Sequence, residues 1–513
     1  MKLFERLMPQ VSARRAEARL RVARAKTAIA AEAKRAELVQ SYDAARTGGR
    51  SSGWHRPQTS ASTELQGALP FLRASARDLV RNSPYGAQAV RGLAAHIAGT
   101  GVRPRAIVQT DNDEARRAIQ DVTRDQWDRF VDRCDLSGQT DFYGQQRLLI
   151  RAVAEGGEGL RLWRPIAEAD KIYWRCEILE GDLLDHQKNE ILKNGNRIVQ
   201  GVEFDKIGRR VAYHLHEIHP GDRYGVLGGL WKTKRVPARY IDHVFDVLRP
   251  GQVRGVSWFA PAAMVMRDVD DLAEAELVRK KLEACIAMVV HNQNEDLDAG
   301  GEVAADGALG GEVQTNPALT SASGTPVEAM SPGMILEARP GWGVEYNAPA
   351  ASEGLADHMR ERLHAIAAGV GVPYAMLTGD LSNANYSSMR AGEMDFNRLV
   401  ESWQADLMIH QSGRPAWQRV QNAAQLNGDL RVEVIPRAGF TPPKRPWVDP
   451  QKDAAAAIMQ MRAGLISPQD VIARLGRTPE EVLAEFKEWA ALTEGLPLEP
   501  GFGGTPQQPK PET

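Results

Sequence analysis

The sequence contains no long apolar run and few cysteines. No run of eighteen or more apolar residues occurs among its 513 residues, and the N-terminus lacks the apolar centre of a secretory signal. We therefore expect neither a transmembrane helix nor a membrane partner. The three cysteines, Cys134, Cys176 and Cys285, are far apart and form no CxxC pair. This predicts buried thiols in a reducing interior rather than a disulfide framework or a zinc site.

The sequence also lacks the motifs of nucleotide and hydrolytic chemistry. It has no Gly-Lys dipeptide, which excludes a Walker A loop, and no G-x-S-x-G elbow. The glycines at 99–101 and 156–159 do not complete a dinucleotide fingerprint. We therefore expect no catalytic residue, no cofactor and no enzymatic activity. Three aspartates are interpreted as the solvated face of a charged helix rather than as a cation site: Asp268, Asp270 and Asp271.

A histidine cluster is the strongest candidate for catalysis, although it is incomplete. His214, His216, Glu217 and His219 miss the H-E-x-x-H pattern, because only one residue separates Glu217 from His219. On a strand, His214 and His216 share one face and could hold a metal. No further ligand follows at a recognisable spacing, so we favour a solvent-facing or interface strand. A metal-dependent hydrolase or nuclease is kept as an alternative.

The charge is nearly balanced, with a net value of −2. A protein that grips nucleic acid tightly is normally basic, so static binding is disfavoured. Each phosphate that a basic surface neutralises adds salt-dependent affinity, so a near-neutral protein is not expected to hold nucleic acid tightly. Residues 1–50 differ, since the first forty carry ten Lys or Arg against four Glu. We expect a solvated basic arm there, with contact to an acidic neighbour, whether protein or DNA, as the alternative.

Residues 51–260 show mixed patterns that predict an α/β region. Helices are expected at 69–97, with a break at 82–84, and at 113–132. The sequences at 194–196 and 206–208 are typical of hairpin turns. Alternating apolar residues predict five strands: 158–164, 172–180, 197–204, 211–218 and 243–248.

From Pro261 onward the pattern becomes that of long helices. Residues 262–299 contain neither Gly nor Pro, which predicts a helix of about 32 residues and roughly 48 Å. A Gly/Ala-rich stretch and two short strands at 334–338 and 343–346 precede a return helix at 352–368. Residues 450–492 are expected to form two helices. After the break at 371–388, a long amphipathic helix is predicted with this inner stripe: Met389, Phe396, Leu399, Val400, Trp403 and Leu407.

The break between these helical patterns is small, polar and turn-prone. Residues 378–385 read TGDLSNAN, a composition that predicts an exposed loop held between rigid helices. The surrounding segment, GVPYAMLTGDLSNANYSSMRAGEMDFNR, resembles the portal proteins of tailed phages, specifically the lambda family. Four other blocks carry the same resemblance in the same order: 75–84, 210–220, 236–261 and 446–485.

The resemblance implies a helix-rich α+β subunit that assembles as a ring. It names the parts in chain order as a wing, a stem, a clip, a tunnel loop and a crown. The implied ranges are a basic arm at 1–50, the wing at 51–260, a first stem helix at 261–295, the clip at 296–350, a second stem helix at 351–370, the tunnel loop region at 371–388, a long helix returning to the wing at 389–445, a helical crown at 446–494 and a disordered tail at 495–513.

The implied function is a DNA channel at one vertex of the virion capsid, assembled in the host cytoplasm. The implied partners are further copies in a ring of twelve, double-stranded DNA bound without sequence preference, the terminase large subunit, a head–tail connector protein, and the major capsid and scaffold proteins. A head–tail adaptor or other structural module is the alternative. Five polar residues of the loop are expected to contact DNA: Thr378, Asp380, Ser382, Asn383 and Asn385.

Overall fold

The computed structural model describes most of the chain between residues 56 and 493. The described ranges are 56–222, 232–285, 354–382, 386–444 and 449–493, with short stretches at 20–22, 24–27, 53, 289–292, 319–321, 336–338 and 342–345. The chain forms two compact units, Met1–Ser60 and Ala61–Thr513. Most of the expected basic arm and all of the expected tail lie outside the described residues. None of the described helices is long and apolar enough to cross a membrane.

The described residues between 61 and 245 form four α-helices and nine strands. The helix α1 begins at Ala61, eight residues earlier than expected, because Ala61 and Leu65 continue the buried face that Leu69 belongs to. A break at Ser83 separates α1 from α2, as predicted. In chain order the elements are α1 Ala61–Asn82, α2 Pro84–Ile97, β1 Arg103–Ile107, α3 Asp113–Arg133, α4 Phe142–Gly156, β2 Glu158–Glu168, β3 Lys171–Glu180, β4 Glu190–Ile191, β5 Arg197–Val199, β6 Val202–Phe204, β7 Arg210–His216, β8 Thr233–Pro237 and β9 Ile241–Phe245.

Strands β2 to β9 form two antiparallel sheets, ordered β3-β2-β9 and β4-β5-β6-β7-β8, and β1 pairs instead with residues 437–441. The single strand expected at 197–204 is in fact the hairpin β5–β6, so that prediction was wrong. Its two turn residues, Gln200 and Gly201, both have positive φ values of 48° and 82°. A two-residue turn of this kind matches the twist of an antiparallel pair, and Val199 pairs with Val202 across it.

The stem and clip region departs most from the expectation. Helix α5, Ala263–Cys285, ends ten residues before the expected boundary at 295. Residues 289–292 form strand β10, since the Val289-Val290 pair favours extended structure and pairs with Glu345 and Val344. The two expected strands are present, but residues 336–338 pair with residues 319–321, and residues 342–345 pair with residues 289–292. The elements are β10 Val289–Asn292, β11 Leu319–Ser321, β12 Leu336–Ala338, β13 Trp342–Glu345 and helix α6 Leu355–Val370.

From Tyr374 onward most of the described residues are helical. Residues 450–493 form three helices rather than the expected two, because Ser467 and Asp470 build a capping box that starts a separate short helix. A ten-residue π-helix, Gln404–Gly413, interrupts the long helix that follows the loop. The elements are α7 Tyr374–Thr378, α8 Tyr386–Trp403, the π-helix, α9 Arg414–Leu426, β14 Arg437–Thr441, α10 Pro450–Arg462, α11 Pro468–Arg474 and α12 Pro479–Thr493.

The hydrophobic core lies under the helices that flank the sheets. One cluster joins α1, α2 and α4 to α5, α6 and α8. A second is aromatic and packs Trp127, Phe142, Trp163 and Trp417 together with Cys134 and Cys176, both of which are free and buried. A third lies between the two sheets.

The predicted inner stripe of the long helix is only partly correct. Phe396, Val400 and Leu407 are buried, and Trp403 is partly buried in the same cluster. Met389 and Leu399 are each 45% exposed. The helix therefore enters the core from about Phe396 onward, and its first turns lie at the surface.

Candidate functional site

The loop between α7 and α8 begins at a fixed joint. Gly371 ends α6 with a φ of +80°, and the amides of Gly371 and Val372 both donate to Ala367 O at 2.9 Å. A positive-φ glycine with two amides donating to one helix carbonyl is a common helix C-terminus. Pro373 then starts α7, and Val372 and Leu377 on either side of it are buried. These contacts therefore fix the direction of α7 relative to α6.

Helix α7 is attached to α2 on its inner side. Gln88 Nε2 donates to Met376 O at 3.3 Å. The Met376 side chain lies over Gly92, where an added Cβ would stand 2.7 Å from Met376 Cε. Gly92 leaves room for the Met376 side chain, whose end would have to move if a larger residue stood there. The short helix is therefore positioned by contacts in the core, although it has only five residues.

The loop itself is organised by its own polar groups. Gly379 ends α7 with a φ of +72°. The Thr378 hydroxyl donates to Tyr374 O at 2.9 Å and accepts from Asp380 N at 3.1 Å. Asp380 in turn accepts from Ser382 N at 2.9 Å and from the Tyr374 hydroxyl at 3.3 Å. Hydrogen bonds from Ser382, followed by that from Tyr374, hold the pKa of the Asp380 carboxyl below its usual range.

The structure places the five predicted loop residues differently from one another. Thr378 is the last residue of α7 and not a loop residue, because its hydroxyl closes the final turn of that helix. Asp380 and Ser382 belong to the loop, and Ser382 is exposed beside Leu381. Asn383 and Asn385 lie outside the described residues. Contact between this loop and DNA stays a prediction.

The far end of the loop is anchored through α8 and the π-helix. The Trp403 ring stacks on Trp258 with centroids 4.5 Å apart, and it lies 3.5 Å from where a Cβ at Gly371 would stand. Gln404 Nε2 donates to Ile97 O at 3.0 Å. Gln411 both accepts from Phe245 N and donates to Phe245 O. The π-helical stretch, which no sequence pattern indicated, thus fastens α8 to the end of α2 and to β9.

The histidine cluster does not converge on one metal site. His214 Nε2 lies 3.5 Å from Glu203 Oε2, His216 Nε2 lies 3.9 Å from Asp185 Oδ1, and His219 Nε2 lies 3.4 Å from Glu180 Oε2. Each ring therefore faces a different carboxylate. His214 is buried, which lowers its pKa, so of the two expected environments, solvent or an interface, the ring does not face solvent within the subunit.

Two carboxylates and His219 lie close enough together to be metal ligands. Glu180, Asp182 and His219 offer ligand atoms within 4.8 Å of one another. The Arg77 guanidinium already lies between the two carboxylates, at 2.7 Å from Glu180 and 2.5 Å from Asp182. A cation therefore occupies this position, and the group is an ion-pair cluster.

A buried charge hub was missed by sequence reasoning. Glu158 is fully enclosed and contacts Arg73 at 2.6 Å, Arg254 at 2.5 Å and His243 at 2.9 Å. Burial alone would raise the pKa of the Glu158 carboxyl, but Arg254, Arg73 and His243 hold it well below its usual range. Burial lowers the pKa of His243 to about 4. The ring is thus neutral at pH 7 and donates from Nε2. No periodic pattern in the sequence indicates this hub.

Comparison with known sequences gives a consistent result. The family model described as "Phage portal protein, lambda family" matches residues 47–404. The probable portal protein of Halomonas phage phiHAP-1 is 28% identical over 436 residues, which cover 81% of this chain and 79% of that protein. Portal protein B of Escherichia phage lambda is 23% identical over 487 residues, covering 85% and 86%, and the portal protein of Escherichia phage N15 is also 23% identical, covering 85% and 87%.

Among solved structures, similarity is found to components of a gene transfer agent particle. A chain from the neck of the native particle, computed with C12 symmetry, aligns with a TM-score of 0.40 and 16% identity over 84% of this chain and 98% of that one. A chain from the native virion gives 0.41 and 16%, covering 80% and 94%. Scores of this size carry no argument, so the assignment rests on the family match, which spans more than two thirds of the sequence. The chain belongs to the lambda family of phage portal proteins.

Proposed function

We propose that twelve copies of this portal protein form a closed ring at one vertex of a tailed-phage capsid, through which double-stranded DNA enters and leaves. Family membership supports a portal role. The near-neutral charge supports a conduit rather than a clamp, because a strongly basic lining repeated around a ring would hold the duplex. A closed ring also needs head-to-tail contacts between different surfaces of neighbouring copies.

The loop that follows Gly379 is the element we assign to the channel wall. The observation that carries this assignment is the contrast between its ends and its middle. Val372, Leu377 and Phe396 fix the flanking helices in the core, whereas Leu381 and Ser382 between them are exposed. A polar loop held at both ends touches DNA through side-chain and backbone donors to phosphates, without reading bases.

The ring has two further sets of partners in this proposal. The terminase large subunit docks on it while the head is filled, and a head–tail connector protein binds it afterwards. The major capsid and scaffold proteins surround it at the virion vertex, after assembly in the host cytoplasm. The basic residues of the N-terminal arm offer an attachment for an acidic neighbour among these partners.

Imaging of the purified protein tests the ring. Negative-stain or cryo-electron microscopy is expected to show closed rings of identical subunits, with light scattering giving a mass of about twelve times 56.4 kDa. A stable monomer at high concentration, both with and without salt, would overturn the ring and with it the channel.

We infer that the isolated chain hydrolyses neither ATP nor nucleic acid, in keeping with a structural family. The absence of a Walker A lysine and the separate carboxylate partners of the three histidines support this. Purified protein is assayed with Mg²⁺ and Zn²⁺, and the His216→Ala variant serves as control. Metal-dependent turnover that follows the protein through purification and is lost in His216→Ala would favour the hydrolase alternative.

A further inference from the structure

Two of the three cysteines meet inside the aromatic core cluster. Cys134 follows the last residue of α3, Cys176 lies in β3, and both are 0% exposed. Their backbones are joined directly, since Cys176 N donates to Cys134 O at 2.7 Å. Residues joined by such a hydrogen bond have Cα atoms about 5–6 Å apart, inside the roughly 4.4–6.8 Å range of disulfides. The backbone therefore already has the spacing that a disulfide needs.

The two thiols are neighbours as well. A hydrogen bond to Cys176 is the first cause that raises the pKa of the Cys134 thiol, and burial is the second. The Cys176 thiol donates to Gln145 Oε1 at 3.0 Å, and Gln145 Nε2 donates back to Cys176 O at 3.1 Å. Gln145 also bonds the carboxylate of Asp135, the residue after Cys134. One glutamine thus holds both halves of the pair in place.

A buried arginine beside the thiols lacks partners. Arg161 is 0% exposed, and among the described residues only its Nη1 has a hydrogen-bond partner, Ser412 Oγ at 2.7 Å. The guanidinium lies 4.6 Å from the centre of the Phe142 ring, which belongs to the same cluster as the cysteines. Its charge favours the thiolate of Cys134 and so opposes the effect of burial on the pKa of that thiol. A cation beside a thiol is the arrangement that makes cysteines reactive.

The pair lies directly beneath a surface turn. Residues 136–139 follow Cys134 and Asp135 in the chain and are exposed. The turn is held by the Asp135 carboxylate, which accepts from two of its amides. Exposed turns open at a small fraction of the free energy of global unfolding. A small oxidant therefore reaches the thiols without disruption of the sheet.

We propose that Cys134 and Cys176 are an oxidation site, which a small peroxide such as hydrogen peroxide closes into a disulfide. The peroxide oxidises one thiol to a sulfenic acid, its O–O bond breaks, and one water leaves. The second thiol attacks the sulfenic sulfur, the S–S bond forms, and the S–O bond breaks to release a second water. Two thiols and one peroxide thus give one disulfide and two waters, with two electrons passing to the peroxide.

The disulfide ties the end of α3 to β3. It closes a loop of about forty residues, and a cross-link of this length restricts the unfolded chain more than the folded one. A reducing cell interior keeps such thiols open, whereas a virion outside the cell meets oxidising conditions. The pair therefore strengthens the subunit after the virion has left the cell.

Thiol counting on the purified full-length protein tests the pair. Native protein is treated with hydrogen peroxide, denatured, alkylated and analysed by mass spectrometry. The number of alkylated cysteines should fall from three to one, with a linked Cys134–Cys176 peptide, and dithiothreitol should restore all three. Protein that keeps three thiols, or that is oxidised to sulfinic acid without forming the link, would overturn the proposal.

Two single variants show whether the native fold selects this pair. In Cys285→Ser the link should form as in the wild type, because the third cysteine of the sequence takes no part in it. In Cys134→Ser, peroxide treatment of the native protein should give no disulfide. A link from Cys176 to Cys285 that forms in this variant as readily as the proposed link forms in the wild type would contradict the assignment.

Unfolding in urea gives a second readout. Peroxide-treated wild type should unfold at a midpoint about 0.5–1 M higher than untreated protein, and dithiothreitol should reverse the shift. Treated and untreated Cys134→Ser should share one midpoint, so each variant is its own reference for folding. A wild-type protein that carries the link but unfolds at an unchanged midpoint would overturn the stabilising role.

Discussion

The sheet β3-β2-β9 and the C-terminal helices differ in which side chains they bury and which they expose. In the sheet region, Glu158, Arg73 and Arg254 are buried together, and Trp163 lies among other rings. In α10 to α12 the charges are at the surface, and so are large apolar side chains such as Trp489. The first region is stable through contacts within one chain. The second leaves large apolar side chains exposed, and the loop after Gly379 does the same at Leu381.

The largest effect is expected from the centre of the buried hub. Glu158→Ala removes the carboxylate that Arg73 and Arg254 share inside the protein, leaving Arg73 with only the longer pair to Asp182, and costs about 3–5 kcal/mol of unfolding free energy. Urea unfolding followed by tryptophan fluorescence measures the loss. The matched control on the same hairpin is Glu177→Ala, which removes a partly exposed pair with Arg164 and costs less than about 1 kcal/mol. Similar losses in the two variants would show that the hub is no more important than a surface pair.

A second variant lies where the core meets the loop. Trp403→Ala removes the ring that stacks on Trp258 and lies beneath Gly371, and it should cost about 2–4 kcal/mol. We expect a loss near the lower end of this range because Trp403 is only partly buried. Leu426→Ala, at a position 78% exposed on α9, serves as the control and should be nearly neutral. If Trp403→Ala were equally neutral, the anchoring of the loop through α8 would be wrong.

The hub also predicts a dependence of stability on pH. Burial lowers the pKa of His243 to about 4 from an ordinary value of 6.5. Between these values the unfolded chain binds a proton that the folded chain does not. Stability should therefore fall as the pH is lowered through this window, by up to about 1.4 kcal/mol per pH unit. Thermal melts from pH 7 to pH 4 measure the slope, and His243→Gln should reduce it. An equal slope in that variant would assign the effect to other groups.

The sequence predicted helices better than it predicted their contacts. The breaks at Ser83 and Gly371 were correct, since a Pro and a positive-φ Gly act locally. The predicted end of α5 was not correct. The absence of Gly and Pro from 262–299 favours a helix, but it does not show that Val289 and Val290 pair with residues more than fifty positions away. The π-helix has no periodic signal of its own.

The sequence also predicted only part of the candidate site. Small polar residues correctly indicated a loop near Asp380 and Ser382. Thr378 lies at the end of α7 rather than within the loop, since its side chain completes a helical turn through Tyr374 O, a contact that spacing does not distinguish from a loop. The Glu158 hub joins residues from α1, β2 and β9, and only the tertiary fold brings them together.

The smallest effect on stability, with the largest effect on function, is expected in the loop. Deleting residues 381–384 removes Leu381 and Ser382, which are exposed and pack against no core cluster, so the free energy of unfolding should change by less than about 0.5 kcal/mol. Rings should still form, because the flanking helices keep their buried contacts at Leu377 and Phe396. DNA packaging or retention should nevertheless fail, since the proposed channel wall is gone. Packaging by reconstituted heads, scored as nuclease-protected DNA, provides the measurement. Trp403→Ala is the counterpart, because it should damage folding before packaging. If the deletion unfolds the subunit while Trp403→Ala packages normally, the channel loop has been placed in the wrong segment.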